Sequence, residues 1–558
     1  MPGLTDRLDR LSPAKRALLE QLLRKTEGPE PVAESASHDE IPRRPPGAPP
    51  ALSFAQERMW FLEQWDAGNA FYHLAEGLRL RGRLDREALR GAIETLGLRH
   101  AALRTCIETT TDGPRPRLKA SLPAPWAERD FAGHDEPESE ARRWIETRAG
   151  EPFDLAAGPL WRLGLARLGE EHHLLSVTLH HAAADGWSLG ILLRELTALY
   201  AAALRGRSAR LPDLPIDYGD FAAWQKENLE SAAQRRQIET WVRGLKGLDP
   251  LFELPVAKAR PARLTHRGEA VSLSLDGRTG AAVRGLARAR GATPFMVMIA
   301  AWAAVLGRWS RRGDFVIGTP VANRNRASTQ GLVGCFVNML PLRMRPRAGS
   351  LSFEDWVSEV KALSLDAFEA QDTPFETLVD ALGLERTSSH APLFQVIFAL
   401  QNAPASSVET PGLSAEPVAF DLGRSGFDLS LIFEPEGDGY GGELRFNPAI
   451  YRRDDMERLA TSYRVLLEIA LAEPERDLGR LPLLDRASLA RELEERRPKL
   501  ADPLPHVSLL SRFEALAAQE PGRVAVRVPA SESGDAEVLT YLELDEQVGE
   551  AVGAGVEI

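Results

Sequence analysis

The chain has 558 residues, of which 44% are hydrophobic and 27% are charged. This length predicts two or more hydrophobic cores, and the composition is typical of a soluble globular protein and not of a disordered, fibrous or membrane protein. The formal net charge of -12 argues against binding to nucleic-acid phosphates, and no apolar window suits a membrane span or a signal peptide. We therefore expect a cytoplasmic protein with neither a nucleic-acid nor a membrane partner.

The cysteine content excludes two kinds of structural cross-link. Cys106 and Cys335 are too few for a disulfide framework and are not spaced as a pair of zinc ligands. We expect both to be small core residues.

The first 50 residues divide into a helical segment and a linker. Residues 1–27 contain Ser12-Pro13, a typical helix start, followed by an apolar stripe of leucines. This amphipathic helix is predicted either to dock onto a partner protein or to pack on its own chain. Residues 28–50 are rich in proline and charge, which predicts a linker.

The central part of the chain alternates between strand-like and helix-like periods, which is typical of an α/β domain. Two related halves are predicted, at residues 51–226 and 227–487. In the first half, residues 172–181 predict a buried strand that turns into a long helix. The second half repeats the alternation, with predicted strands at residues 268–276 and 314–321 and predicted helices at 278–290 and 294–309.

The end of the chain changes character after the second half. Residues 488–506 are charged and helix-prone and are predicted to be a linker. Residues 507–558 then predict one helix and two strands, which is too little to close a core. We expect them to be the truncated start of another domain.

Candidate catalytic residues stand where the buried strand gives way to the helix. Neighbouring residues of a strand point to opposite faces, so only one imidazole of His180-His181 can face a cavity while the other supports it. Histidine exchanges protons near neutral pH, as general acid-base catalysis requires. Asp185 precedes a helix whose backbone N–H groups, with Gly186 allowing close approach, would stabilise developing negative charge.

Two other interpretations of this segment compete with catalysis. A His-His pair at a strand end is, taken alone, more often a core pair than a catalytic one, but the complete HHxxxDG spacing at a strand-to-helix turn favours catalysis. Metal binding is disfavoured because the two imidazoles diverge and no third ligand follows at helical spacing.

The segment HHAAADGWS resembles the HHxxxDG signature of condensation domains of nonribosomal peptide synthetases, which belong to the chloramphenicol acetyltransferase superfamily. Other segments resemble further motifs of that family, in the family's order. They are LSFAQERMWFLEQW (52–65), RHAALRT (99–105), DYGDFAAWQ (217–225), IGTPVANRNR (317–326), VGCFVNMLPLR (333–343), QDTPFETLV (371–379) and SSHAPLFQVIFALQN (388–402).

The resemblance implies a fold and a set of site residues. The fold is α/β, with two chloramphenicol acetyltransferase-like lobes in a V-shaped pseudo-dimer and a tunnel between them. His181 is the implied catalytic group, with His180 and Gly186 beside it, and Asp185 is a largely structural acid. The implied supporting residues are Arg324, which pairs with Asp185, together with Ser188, Trp187 and Arg58.

The resemblance also implies an activity and its partners. A carrier-bound aminoacyl amine attacks an acyl or peptidyl thioester and forms an amide bond. No intrinsic cofactor is implied, because 4'-phosphopantetheine arms arrive on an acceptor aminoacyl carrier domain and on a donor carrier protein, or the donor is an acyl-CoA. A starter N-acylating (lipoinitiation) domain and an elongation domain for an L-configured donor both fit.

Departures from the family pattern limit these expectations. Ala101 stands where the second motif often has glutamate, and we expect little effect on chemistry. Residues 507–558 resemble the opening of an adenylation domain but include no nucleotide-binding loop, so an adjacent adenylation domain is an implied partner and adenylation itself is not predicted. Heterocyclisation is disfavoured because such relatives carry aspartates in place of the histidine pair. A non-catalytic recruitment module and an epimerase-like relative remain alternatives.

Overall fold

A computed structural model describes most of the chain. The described residues are 40–45, 47–65, 70–123, 125–347, 349, 351–401, 408–410, 412–496, 509–528 and 537–553. The predicted N-terminal helix, and the predicted linker up to residue 39, lie outside them. The chain divides into two compact units, Met1–Asp485 and Arg486–Ile558.

The first unit contains both predicted halves. Its described α-helices are α1 (Phe54–Trp65), α2 (Arg86–Arg99), α3 (Pro137–Ala149), α4 (Gly186–Ala203), α5 (Tyr218–Leu229), α6 (Ala232–Leu245), α7 (Gly277–Ala289), α8 (Pro294–Ser310), α9 (Ala327–Gln330), α10 (Phe353–Glu369), α11 (Phe375–Ala381) and α12 (Arg453–Ala472). Its described strands are β1 (His73–Gly82), β2 (Thr105–Thr110), β3 (Gly113–Leu118), β4 (Trp126–Asp130), β5 (Trp161–Gly169), β6 (His172–His180), β7 (Glu269–Leu275), β8 (Phe315–Val321), β9 (Asn338–Met344), β10 (Val396–Leu400), β11 (Val408–Thr410), β12 (Leu413–Ala419), β13 (Leu429–Glu436) and β14 (Gly439–Phe446).

The first lobe is built on a sheet with the strand order β11-β12-β1-β6-β5-β4. Strand β6 is buried along almost its whole length, because it lies near the middle of the sheet and helices cover it. Helices α2 and α4 pack against each other, and their apolar residues join the same core as this sheet. The carboxyl end of β6 therefore emerges from a fixed position.

The second lobe is built on a sheet with the order β7-β14-β13-β10-β8-β9. Helix α8 is apolar on all sides, and it is buried over nearly its whole length between other helices of this lobe. Thr293 caps it through its hydroxyl, which accepts a hydrogen bond from the Met296 amide, and Pro294 occupies the first turn. The predicted helix start at this position is confirmed.

The two lobes exchange chain segments. Strands β11 and β12 follow β10 of the second lobe, yet β12 pairs antiparallel with β1 of the first lobe over seven residues. Residues Leu332, Val333, Cys335 and Phe336 likewise lie in the first lobe's core. The predicted boundary at residue 226 therefore does not account for these two later segments, which belong to the first lobe.

Several local predictions are confirmed. The predicted strand at 172–181 is β6, the predicted helix after it is α4, and the strand and helix predictions of the second half match β7, α7, α8 and β8. Cys106 and Cys335 are both buried thiols.

The folded part of the chain begins before residue 51. Ile41 is buried, although it lies in the segment predicted to be a linker. Arg44 forms ion pairs with Asp217 and Asp220, with N···O distances of 2.9 and 2.8 Å. Residues 40–45 and 47–50 are thus held against the first lobe by buried apolar surface and paired charge.

The second unit consists, in its described residues, of α13 (Arg486–Arg496), α14 (Leu509–Gln519), β15 (Val524–Val528), β16 (Glu537–Thr540) and α15 (Tyr541–Gly553). The sequence pattern predicted the second strand of this region from VLTYLELDEQ (538–547), and that extent is wrong, because the strand ends at Thr540 and α15 begins at Tyr541. Glu543 Oε2 accepts a hydrogen bond from Thr540 N at 2.8 Å, and Thr540 Oγ1 accepts one from Glu543 N at 3.3 Å. This capping box starts a helix there.

Among the described residues, no single helix has the length and apolarity to cross a membrane. Helices α7 and α8 have the length and apolarity of a membrane span only when they are taken together, and the pair is bent by 104°. Because α8 lies inside the second lobe's core, that pair belongs to the packed domain.

Candidate active site

The turn between β6 and α4 is anchored by its backbone. The His180 amide donates a hydrogen bond to Leu160 O at 2.9 Å, and the His181 amide donates one to Tyr72 O at 2.8 Å. The three alanines that follow are buried, so the turn packs tightly against its surroundings. The small side chains of Ala182, Ala183 and Ala184 permit this close packing.

His180 belongs to the core. It is only 1% exposed, and its ring lies among those of Tyr72, His73 and Phe153. Its Nδ1 accepts a hydrogen bond from the Ala182 amide at 3.1 Å, which places the proton of the neutral ring on Nε2. Burial lowers the pKa of His180 to about 3, so the ring is neutral and supports the turn.

His181 has different surroundings from its neighbour. The residue is partly exposed, while its Nδ1 is buried. Burial lowers the pKa of His181 to about 4, and the Arg58 guanidinium adds to this shift, while the Asp185 carboxylate and a backbone hydrogen bond with Ala184 oppose it. The imidazole is therefore neutral near pH 7 and can accept a proton or a hydrogen bond.

Asp185 has its carboxylate fully occupied by the protein. It is 3% exposed, and Oδ1 accepts hydrogen bonds from Ser188 N at 2.8 Å and Ser188 Oγ at 2.7 Å. Oδ2 accepts one from Phe336 N at 2.9 Å. The carboxylate caps α4 by accepting a hydrogen bond from one of its first backbone amides. That amide is one of those which the sequence analysis expected to stabilise developing negative charge. The geometry of Asp185 is that of a structural acid.

Arg324 is the ion-pair partner of Asp185, as the family resemblance implies. Its Nη2 lies 3.0 Å from Asp185 Oδ1, and its Nη1 donates to the carbonyl oxygens of Thr329 and Leu332, each at 2.6 Å. The guanidinium also stacks on Phe336, with Cζ 4.0 Å from the ring centroid. Burial lowers the pKa of Arg324, and the Asp185 carboxylate opposes that shift. The pair ties α4 to the segment between β8 and β9.

The predicted supporting residues Ser188 and Trp187 reach the same segment. Ser188 Oγ accepts a hydrogen bond from Gly334 N at 3.1 Å, and Trp187 Nε1 donates one to Gln330 O at 3.1 Å. Both contacts hold the first turn of α4 in place.

Packing does not explain why residue 186 is a glycine. It is exposed, and a Cβ added there would meet no atom within 4 Å. Space in front of the start of α4 is therefore open.

Arg58 links the lobes beside this turn. Its Nη1 lies 2.9 Å from Oε1 of Glu376, which places helix α1 against helix α11. Both side chains are only partly exposed. The resemblance implied a supporting role for Arg58, but the sequence analysis did not identify Glu376 as its partner.

Gln56 contacts the histidine turn, and the sequence analysis gave this residue no role. Ser53 and Gln56 form a reciprocal cap at the start of α1, with both hydrogen bonds 3.2 Å long. Gln56 Nε2 then donates to Ala182 O at 2.9 Å and so braces the histidine turn. The Ser-x-x-Gln spacing is the signal that could have predicted the cap.

No metal site accompanies these residues in the part of the chain that the structure describes. There, no group of three or more histidine, cysteine, aspartate or glutamate side chains is arranged to hold a metal ion. The candidate reactive group of the site is the imidazole of His181, a partly exposed residue on a turn that is braced from both lobes.

Comparison with known proteins gives consistent matches. The family model described as condensation domain matches residues 50–491. Phosphinothricin tripeptide synthetase PhsC of Streptomyces viridochromogenes is 38% identical over 98% of this chain and 49% of its own length. Malpinin synthetase of Mortierella alpina is 34% identical over 88% of this chain and 6% of its own length. The chain thus spans half or less of these relatives.

A solved structure shares the architecture. The X-domain from teicoplanin biosynthesis, in its complex with OxyB, has a TM-score of 0.72 and 27% identity. The match covers 81% of this chain and all of that one. The two-lobed α/β fold implied by the sequence motifs is therefore confirmed.

Proposed function

Because the chain belongs to the condensation-domain family of nonribosomal peptide synthetases, whose members form amide bonds, we propose that it joins a thioester-bound acyl group to the amine of a carrier-bound aminoacyl group. The observation that carries this proposal is the neutral, partly exposed imidazole of His181. The turn that bears it is held by Gln56 on one side and by Asp185 with Arg324 on the other.

The proposed reaction moves one proton from the amine nitrogen to the departing sulfur. The amine attacks the thioester carbonyl carbon, a C–N bond forms, and the nitrogen becomes positively charged. Its proton passes to the departing sulfur as the C–S bond breaks, so that an amide and a thiol result. In this proposal, His181 accepts a hydrogen bond from the amine and guides this proton.

The low pKa of His181 shapes its part in the reaction. A base whose conjugate acid has a pKa of about 4 holds a proton only weakly at neutral pH. We therefore assign His181 mainly the task of orienting the amine, with proton transfer as a smaller contribution. Proton transfer by a positioned group typically accelerates a reaction ~10² to 10⁴-fold. Holding the two reactants together in line supplies the rest of the rate enhancement.

The partners of the proposed reaction are carrier domains. The substrates are an aminoacyl acceptor and an acyl or peptidyl donor, each delivered on a 4'-phosphopantetheine arm through a tunnel between the lobes, or an acyl-CoA as donor. The similarity to a tripeptide synthetase over nearly the whole chain supports elongation, for which we propose an L-configured donor, over a starter role. The adjacent adenylation domain and the cytoplasmic location rest on sequence resemblance and composition.

Reconstitution tests this function directly. The full chain is incubated with the 20 amino acids as carrier thioesters and with donors in three forms: fatty acyl-CoA, fatty acyl carrier and dipeptidyl carrier. Intact-mass measurement of the acceptor carrier reports the product. We expect wild-type protein to form an amide, and the His181→Ala variant to lose at least ~100-fold in rate, because both the orientation of the amine and the proton transfer depend on the imidazole. The matched control is His134→Ala, which removes an exposed histidine of the same lobe.

A second candidate function is recruitment of a partner enzyme without catalysis. The similarity to the X-domain seen in complex with OxyB favours it. Recruitment predicts that no donor in the panel reacts, or that His181→Ala reacts as fast as wild type. An epimerase-like relative would instead return acceptor carriers of unchanged mass with inverted configuration at Cα, which chiral analysis of the released amino acid detects.

A further inference from the structure

The Tyr218 hydroxyl lies at a junction of two paths that lead to the histidine turn. Tyr218 is the first residue of α5 and is 4% exposed. Its hydroxyl oxygen lies 2.6 Å from Cys335 O and 2.8 Å from Ser53 Oγ. These two contacts connect α5 to the segment between β8 and β9 and to the cap of α1.

Counting protons fixes the direction of both hydrogen bonds. A phenol carries one proton, and a carbonyl oxygen can only accept. Tyr218 therefore donates to Cys335 O, and Ser53 donates its hydroxyl proton to the Tyr218 oxygen. Ser53 Oγ can still accept from Gln56 N, which lies 3.2 Å away.

The first path from Tyr218 ends at Asp185 through a single peptide group. The carbonyl of Cys335 and the amide of Phe336 belong to the same planar unit. Tyr218 holds the oxygen of this plane, and the N–H of the plane donates to Asp185 Oδ2 at 2.9 Å. A rotation of the plane that broke one contact would break the other.

The second path ends at Ala182. Ser53 caps α1 together with Gln56, and Gln56 Nε2 donates to Ala182 O at 2.9 Å. Ala182 directly follows His181, and Asp185 closes the same turn. The one hydroxyl therefore contributes to both anchors between which His181 is held.

The Tyr218 ring is itself held rigidly. It packs edge-on against Phe336, with centroids 5.1 Å apart, and a Cβ on Gly334 would lie 2.0 Å from Tyr218 Cδ2. Arg44 binds the two carboxylates of the capping box at the start of α5, Asp217 and Asp220. Burial raises the pKa of Tyr218 well above its usual value, so the donor keeps its proton.

We propose that Tyr218 is a positioning residue for His181: its hydroxyl sets the orientation of the Cys335–Phe336 peptide and of the α1 cap, and through both it fixes the turn from residue 181 to residue 185. This proposal rests on the amide-forming function proposed above. It assigns Tyr218 no contact with substrate.

Removing the hydroxyl alone tests the proposal. Tyr218→Phe keeps the ring and its packing, and the matched control Tyr200→Phe removes another buried hydroxyl of the same lobe, which accepts from Asp85 N far along the chain. The donor and acceptor thioesters are the fastest pair found in the carrier panel. We expect kcat to fall about tenfold for Tyr218→Phe with KM for the acceptor carrier unchanged, and Tyr200→Phe to keep the wild-type kcat.

A double variant separates positioning from loss of stability. In single-turnover reactions, Tyr218→Phe is expected to add no further loss to His181→Ala, because the residue that it positions is gone. An equal fall in kcat in both backgrounds, or a rise in KM alone, would overturn the proposal.

If Tyr218→Phe melts before the assay temperature, Ser53→Ala replaces it, and the same non-additivity with His181→Ala decides. Wild-type protein that forms no amide in the panel contradicts the proposed function itself, whereas active wild type with unaffected Tyr218→Phe contradicts only the positioning.

Discussion

Asp185 and Arg324 form a buried ion pair between residues 139 positions apart, with 3.0 Å between Oδ1 and Nη2. Asp185 is also held by Ser188 and Phe336, and Arg324 Nη1 donates to two backbone carbonyls. The pair fixes the start of the helix that follows His181. Its loss would thus disturb the active site without removing any group that reacts.

The first prediction concerns the stability carried by this pair. Arg324→Ala leaves a buried carboxylate without its cation, and Asp185→Ala leaves a buried guanidinium. Each is expected to lower the free energy of unfolding by about 3–5 kcal/mol, measured by urea denaturation. The control is Arg464→Ala, which breaks an exposed pair with Glu468 one helical turn away and is expected to cost less than about 1 kcal/mol.

The double variant sharpens this test. Asp185→Ala with Arg324→Ala removes both charges, so it is expected to cost clearly less than the two single losses added together. Additive losses, or single losses as small as that of the control, would contradict a coupled buried pair. Activity in the single variants is expected to recover in part under conditions that keep them folded.

The second prediction separates the two histidines. His180→Ala opens a cavity among Tyr72, His73 and Phe153, and is expected to cost roughly 2–4 kcal/mol in unfolding free energy. His181→Ala truncates a residue that is partly exposed, so its cost is expected to stay below about 1 kcal/mol. The order is expected to reverse in the rate of amide formation, measured under conditions where both variants are folded. A stable but active His181→Ala protein would contradict this assignment.

Local sequence signals predicted the elements that carry the site. The short, largely apolar run of residues 172–181 predicted the buried strand β6, and the helical period after Asp185 predicted α4. The alternation of side chains along a strand also predicted different surroundings for His180 and His181. These features depend on residues that are close together in the chain, so a single sequence is enough to predict them.

Contacts between distant segments could not be predicted in this way. Periodicity carries no information on which strands pair, so the crossing of β12 to β1 was missed. The cap of α4 by Asp185 has a sequence signature, but its contact with the amide of Phe336 spans 151 residues and has none. Arg324 was placed only because the family resemblance implied its pairing.

The third prediction uses the open space at Gly186. An added Cβ meets no atom of the protein within 4 Å, so Gly186→Ala is expected to leave the unfolding free energy within about 0.5 kcal/mol of wild type. Because Gly186 is expected to allow close approach of the thioester to the start of α4, the same methyl group is expected to lower the rate of amide formation several-fold. Gly285→Ala on α7, where a Cβ also meets nothing, is the control for a harmless methyl group. A Gly186→Ala protein of full activity would show that substrates keep away from this position.

The last prediction concerns acid stability. Burial lowers the pKa of His180 to about 3 and that of His73 to about 4, from an ordinary value of 6.5. The Arg162 and Arg424 charges add to the shift of His73, while its hydrogen bond to Ala149 O opposes it. Between roughly pH 6.5 and pH 4 the unfolded chain therefore binds more protons than the folded chain, so stability falls as the pH falls.

Urea denaturation at several pH values between 7 and 4.5 measures this slope. Each buried histidine is expected to contribute up to about 1.4 kcal/mol per pH unit within the window. His73→Phe and His180→Phe are both expected to flatten the slope, even if they lower stability at pH 7, because neither replacement titrates. Tyr200→Phe, which removes a buried hydroxyl and no imidazole, is expected to keep the wild-type slope. A wild-type slope that persists in both histidine variants would show that other groups cause the acid sensitivity.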